Sequence, residues 1–182
     1  MMLQIGLEKM VQLASRTGRE LQRYNSGRRQ VVGCIPYRYV RRSDGASSSS
    51  GSAEDQVEVL LISSQKSSNM MFPKGGWEID ENIEIAAERE SMEEAGVRGT
   101  VQEMLGKWQF ESKSRDASRD GFMFPLLVRE QLDSWPEQSR RQRKWVKVEE
   151  ARELCYHPWM KEALDALVHR LTQARDANQE RR

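Results

Sequence analysis

The sequence predicts an α/β sandwich built around a mixed β-sheet. Three observations carry that expectation. Residues 82–95 form a stretch without Gly or Pro, dominated by Ala, Glu, Arg and Met, which reads as a central helix. Short apolar runs of strand character lie on both sides of it, and a second helical stretch closes the order near residue 171. With 182 residues and 37% hydrophobic content the chain can bury one core, so a single domain with ragged ends follows.

Residues 1–27 read as an N-terminal extension, amphipathic and in part helical. Glu8 and Glu20 argue against a transit peptide, which is usually almost free of acids. The first strand is 31–40 (VVGCIPYRYV), where Gly33 and Pro36 point to an edge or a bulge. The Ser/Gly tract at 42–55 cannot build a core and reads as a flexible loop. Residues 57–63 (VEVLLIS) give the second strand. After the central helix, 100–104 and 107–110 look like a strand pair turning at Gly106, and 112–121 is a polar loop. Strands at 122–128 and 145–148 follow, then helices at 149–154 and 159–171. The remainder, 172–182, is a polar tail of disordered composition.

A formal charge of +1 gives no global bias toward nucleic acid or a membrane surface, and no apolar run is long enough to cross a bilayer. Two cysteines far apart, Cys34 and Cys155, fit a reducing compartment and form no zinc motif. A cytoplasmic or nuclear monomer is expected, with a mitochondrial location left open.

The central helix carries the chemistry. Asp80 is the expected N-cap, Glu81 and Glu84 place negative charge at the positive end of the helix dipole, and Gly96 supplies the stop. At ~3.6 residues per turn, Ile83, Ala86, Ala87, Glu90, Glu94 and Val97 share one face, with Glu93 beside it. A run of glutamates is usually a solvated face. Here two carboxylates interrupt the core-facing stripe, which calls for a cation between them, and a hard divalent ion suits oxygen ligands.

Residues 75–97, GGWEIDENIEIAAERESMEEAGV, resemble the Nudix box, with Gly75, Glu81, Arg89-Glu90, Glu93-Glu94 and Gly96-Val97 at the family's positions. Ser91 departs, standing where the family usually carries a bulky aliphatic residue. The resemblance implies a Nudix domain over 28–171 and hydrolysis of phosphoanhydrides. It implies Mg²⁺, with Mn²⁺ as a substitute, on Glu90, Glu94 and a backbone carbonyl of the Lys74-Gly75 turn. It also implies Glu93 as the base or water-orienting group and Arg89 as an ion-pairing clasp, with Glu81 and Gly96 structural.

Three further segments, GRRQVVGCIPYR, FPKGGWE and YHPWMKEAL, resemble the plant-type diphosphoinositol polyphosphate phosphohydrolases, a group whose members also cleave diadenosine polyphosphates. Such ligands demand many cations and donors. Candidates are Arg28, Arg29, Ser63, Ser64, Lys66, Lys74, Gly75, Gly76, Lys113, Arg115 and Arg141. Of these, the resemblance sets Arg29, Ser64, Lys113 and Arg141 at phosphate contacts. Pro158 replaces a lysine of the animal relatives, with Lys161 one turn on. His157 reads as a packed or capping residue. The expected partner is a small polyphosphate. The alternatives are a dinucleoside polyphosphate hydrolase, a non-catalytic polyphosphate sensor, and an RNA-end hydrolase, for which no extra RNA-binding region is present.

Overall fold

The computed structural model describes residues 14–40, 51–112 and 117–181. Lys113, Arg115 and residues 42–50 of the Ser/Gly tract lie outside them. The spine of the molecule is one sheet, β4-β3-β2-β8-β6, with four short strands paired onto its edges and ends. In chain order these strands are β1 (Tyr24–Asn25), β2 (Arg28–Tyr39), β3 (Val57–Ser63), β4 (Met70–Met71), β5 (Lys74–Gly76), β6 (Val97–Val101), β7 (Gly106–Glu111), β8 (Ser118–Gln131) and β9 (Arg143–Lys147). The long strands β2 and β8 pair in parallel from Arg29↔Arg119 to Tyr37↔Leu127, whereas every other pairing is antiparallel. The sheet is therefore mixed, as expected.

Period-two alternation divides the core. Val57, Val59 and Leu61 of β3 face one layer, made by α2 (Val148–Leu154) and α3 (Pro158–Glu180). Leu60 and Ile62 face the other, made by α1 (Ile83–Ala95). The same alternation recurs in β8, with Met123 on the first side and Phe124 and Leu126 on the second. The helices thus flank the sheet on both faces.

Several sequence expectations are corrected. The supposed strand pair around Gly106 is not a hairpin, because β6 and β7 both pair with β8, along different halves of it. β8 begins at Ser118, inside what reads as a polar loop; its first residues pair with β7, so ladder hydrogen bonds override composition. The tail is helical as far as Glu180, where α3 continues past its apolar stripe and Arg175 donates to the carbonyl of Gly51. At the end of the Ser/Gly tract, Ala53 is buried and Glu54–Gln56 forms a 3₁₀ turn held by Arg152, at 2.8 and 3.0 Å from Glu54. The part of the N-terminal extension that is described, residues 14–23, runs as an irregular strap with one ladder contact, the Gln22↔Glu78 bridge; residues 1–13, where the rest of that expectation falls, lie outside the described residues.

Candidate active site

α1 begins at Ile83, one residue inside the expected stretch 82–95. Asn82, not Asp80, is its N-cap, its side-chain oxygen accepting from the Ile85 amide at 2.8 Å. Asp80 instead receives the Arg16 guanidinium at 2.9 Å. At the far end, Gly96 has the left-handed φ of 63° and donates its N–H to the Met92 carbonyl at 3.1 Å. The next carbonyls are taken by a segment remote in sequence. The Glu137 amide donates to Glu93 O at 3.1 Å, Trp135 Nε1 to Glu94 O at 3.2 Å, and Arg143 Nη1 to Ala95 O at 3.0 Å. A helix carrying three buried glutamates is in this way fixed at both ends.

Glu90, Glu93 and Glu94 are 7%, 4% and 7% exposed. Arg89 clasps the first two. Its Nη1 donates to Glu90 at 2.8 Å and lies 3.5 Å from Glu93, while Nε and Nη2 form a fork to Glu81 at 2.9 and 2.6 Å. Nη2 also reaches the Gly76 carbonyl at 3.0 Å, and Glu81 accepts from the Glu78 amide at 3.1 Å. Both Arg89 and Glu81 are thus committed to structure, and Arg89 is held further charged by these partners despite its burial. Glu94 accepts from the Lys74 amide at 2.9 Å and from Arg141 Nη2 at 2.5 Å. Arg141 in turn donates to Glu137 and, at 3.0 Å, to the Ser63 carbonyl.

Burial, and then the neighbouring Glu94 charge, raises Glu90 well above the usual carboxylate range. Burial raises Glu94 as well, against the pull of Arg141 and Lys74. Glu93 moves in the same direction, again chiefly through burial. Gly75 packs so closely on Glu90 that a Cβ there would lie 2.1 Å from its Oε2, which is why this position of β5 is glycine. An all-oxygen donor set, desolvated and held side by side, fits a hard divalent cation. Among the described residues no three His, Cys, Asp or Glu side chains converge into a ready-made cage. An ion here would keep several waters, as Mg²⁺ commonly does.

Beside Glu94 opens a cavity of about 440 Å³ whose lining includes Ser64, Lys66, Lys74, Arg119 and Arg141 together with Phe110, Tyr156 and His157. The parallel register of β2 and β8 puts Arg29 directly across from Arg119. Burial lowers Arg29 first, and the charges of Arg119 and Arg19 lower it further. Lys74 is lowered by burial and by Arg141 and Arg119, against the pull of Glu94. These cations are close enough to oppose one another.

The remaining candidates have other partners. Arg28 leaves the opposite face of β2 and pairs with buried Asp120 at 3.0 Å. The Ser63 hydroxyl accepts from the Gln142 amide at 2.8 Å. Gly76 is closed over by Gln22, which also accepts from Arg29 Nε at 2.6 Å. Trp77 covers the box, donating to the Glu81 carbonyl at 3.0 Å under the Arg23 guanidinium. Sequence reasoning did not single out Arg16, Arg19, Gln22, Glu137, Phe110 or Tyr156. Some of their contacts span up to 122 positions, as for Ser15 and Glu137, while Glu137 and Arg141 are only four apart and Gln22 and Arg29 seven.

Comparison with known proteins agrees with this geometry. The family described as NUDIX domain matches residues 52–167. Nudix hydrolase 17, mitochondrial, of Arabidopsis thaliana is 62% identical over 168 residues, 92% of this chain and 89% of that protein. The mouse diphosphoinositol polyphosphate phosphohydrolase 3-alpha is 35% identical over 120 residues, 63% of this chain and 71% of that one. The crystal structure of a C. elegans Ap4A hydrolase binary complex aligns with a TM-score of 0.57 at 22% identity, over 78% of this chain and 96% of its own. The chain belongs to the Nudix family. It is a Nudix hydrolase acting on phosphoanhydride bonds, and enzymes of this family generally use a divalent metal ion, usually Mg²⁺.

Proposed function

We propose that this enzyme removes the β-phosphate of diphosphoinositol polyphosphates in a Mg²⁺-dependent reaction. One observation carries the substrate class. The β2–β8 register sets Arg29 and Arg119 side by side with Lys74 and Arg19 close to them, a partly buried cationic cluster in which Glu90 and Glu94 are the neighbouring carboxylates. Like charges across a strand pair are destabilising unless something negative lies between them, and a densely phosphorylated ring supplies that charge.

In this reading Glu90, Glu94 and the Lys74 carbonyl hold the metal. When bound, it neutralises charge on the phosphoryl oxygens. Glu93 aims the attacking water and accepts its proton, and Arg89 fixes the carboxylates. Arg29, Ser64, Lys66, Lys74, Arg119 and Arg141 orient the substrate phosphates. The exposed Tyr156 ring and Phe110 favour a second reading, a dinucleoside polyphosphate held by adenine stacking. The match to a mitochondrial relative supports placing the enzyme in that organelle.

The deciding measurement is kcat/KM for a diphosphoinositol polyphosphate against diadenosine tetraphosphate, in the wild type and in Arg29→Ala and Arg119→Ala. Each variant should weaken the inositol substrate about tenfold or more, and the dinucleotide less. Equal losses on both substrates would transfer the assignment to dinucleoside polyphosphates.

A further inference from the structure

The strap that precedes the sheet reaches the centre of the site. The Arg16 amide donates to Glu93 Oε1 at 3.2 Å, and Ser15 Oγ donates to Glu137 Oε1 at 3.5 Å. Glu137 is itself tied to Glu93, through its amide and the Glu93 carbonyl. Two anchors hold the strap down. The Arg16 guanidinium binds buried Glu78 and, at 2.9 Å, Asp80. Further on, Ile79 donates its amide to the Leu21 carbonyl and Arg23 donates its amide to the Trp77 carbonyl, each at 2.8 Å.

We propose that Ser15 and Arg16 form a positioning element of the active site, holding the Glu93 carboxylate in the orientation needed to aim water. The inference rests on Glu93 as the water-orienting group. The physical ground is simple. Arg89 approaches one Glu93 oxygen only at 3.5 Å, so the Arg16 amide on the other oxygen is its closer partner. A backbone N–H anchored on both sides restricts the carboxylate more than a long side chain does. Misplacing a catalytic group by about 1 Å can lower a rate ~10²-fold. A segment that composition marks as a dispensable flank is therefore part of the reaction's geometry. Cleavage of the chain beyond Arg16 would remove the contact.

The test uses the full chain. In Arg16→Ala the anchors to Glu78 and Asp80 are lost, so kcat should fall about tenfold while KM stays within about twofold, and Arg16→Lys should recover most of the loss. The probe is a diphosphoinositol polyphosphate or, where it turns over faster, diadenosine tetraphosphate. A second readout needs no turnover: in metal-free protein the Arg16 amide ¹⁵N–¹H resonance should shift upfield in Glu93→Gln. A kcat for Arg16→Ala within about twofold of wild type, or an Arg16 amide unmoved by Glu93→Gln, overturns the proposal. Wild-type turnover in Glu93→Gln would instead overturn the parent assignment of Glu93, and the strap's role would fall with it.

Discussion

The two helical layers that cover the sheet are built on opposite terms. On one face, α2 and α3 bury Val148, Trp159, Met160, Leu164, Leu167 and Val168 against large residues such as Tyr37 of β2 and Phe72 in the link between β4 and β5. On the other, α1 buries Ala86, Ala87, Ala95 and Ser91 together with Glu90, Glu93 and Glu94. The first face gathers the dispersion contacts and apolar area that hold a fold together. The second gives up apolar area for desolvated charge, which the guanidinium groups of Arg89 and Arg141 and the backbone amide of Arg16, from three parts of the chain, are drawn in to satisfy. The buried carboxylates and the main apolar core thus lie on opposite faces of one sheet.

If that division is real, the largest effects will be selective. Glu90→Gln or Glu94→Gln should cut kcat by about 10²–10³-fold or more, while the melting temperature of the metal-free protein holds or rises. A variant that kept wild-type turnover at saturating Mg²⁺ would remove that residue from the metal set. Leu164→Ala, fully buried on the other face, should do the reverse. About 2–5 kcal/mol of stability should be lost in chemical denaturation, with kcat of the folded fraction intact. A matching loss of kcat would show that the two layers are coupled.

Gly75→Ala tests how tightly β5 is fitted to the helix. The new Cβ would push the Glu90 carboxylate aside, and kcat/KM should fall at least about tenfold, with the Mg²⁺ needed for half-activity rising. Unchanged Mg²⁺ dependence would mean that Glu90 can shift freely.

The pH dependence follows from the carboxylates. Glu90, Glu93 and Glu94 are all raised in the folded state. Above the pH where a free Glu ionises, at about 4.3, the native state binds more protons than the unfolded chain. Stability of the metal-free protein therefore falls as pH rises through that range and levels off above the raised values, by roughly 1.4 kcal/mol per unit of net shift. Thermal scans in EDTA from pH 5 to pH 8 should show a falling Tm, and Mg²⁺ should restore much of the loss at pH 8 by binding the ionised form. A Tm that rose with pH in EDTA would contradict the burial of these charges.

How much of this was legible in the sequence differs between the two layers. Strand β3 matches residues 57–63 because its alternation and its bounding residues agree. The box helix and its Gly96 stop are equally plain, since spacing, composition and a resemblance all point one way. The β6/β7 pairing was misread because adjacency in sequence favours a hairpin, while a fourteen-residue β8 offers both strands a partner. Glu137, Arg16 and Gln22 were invisible for a related reason. Their contacts to the box, Glu137 and Arg16 to Glu93 and Gln22 over Gly76, are made only once the chain has closed on itself, and none belongs to a periodic face. Arg119 falls within the stretch 112–121 that reads as a polar loop; its meaning comes from the strand register opposite Arg29.

The smallest expected effect concerns Ser91, where the box departs from its usual residue. The side chain is fully buried, and its hydroxyl donates to the Ala87 carbonyl at 2.9 Å. That carbonyl also receives the thiol of Cys34 at 3.5 Å, and burial pushes the Cys34 thiol up to about 12, moderated by a hydrogen bond with Ser91. The serine is therefore a small polar insert that satisfies itself within a pocket it shares with Cys34. Ser91→Ala removes a donor whose acceptor keeps another partner, and it gains a few tenths of a kcal/mol in helix propensity. The two terms nearly cancel, so stability should change by less than about 0.5 kcal/mol and kcat should not move. Ser91→Leu restores the bulk usual at this position but must displace Cys34 or α1 itself, and should destabilise by ~1–3 kcal/mol. If urea titration found Ser91→Leu as stable as wild type, the pocket would be loose enough for the usual aliphatic residue, and the close fit of α1 on the sheet inferred here would be wrong.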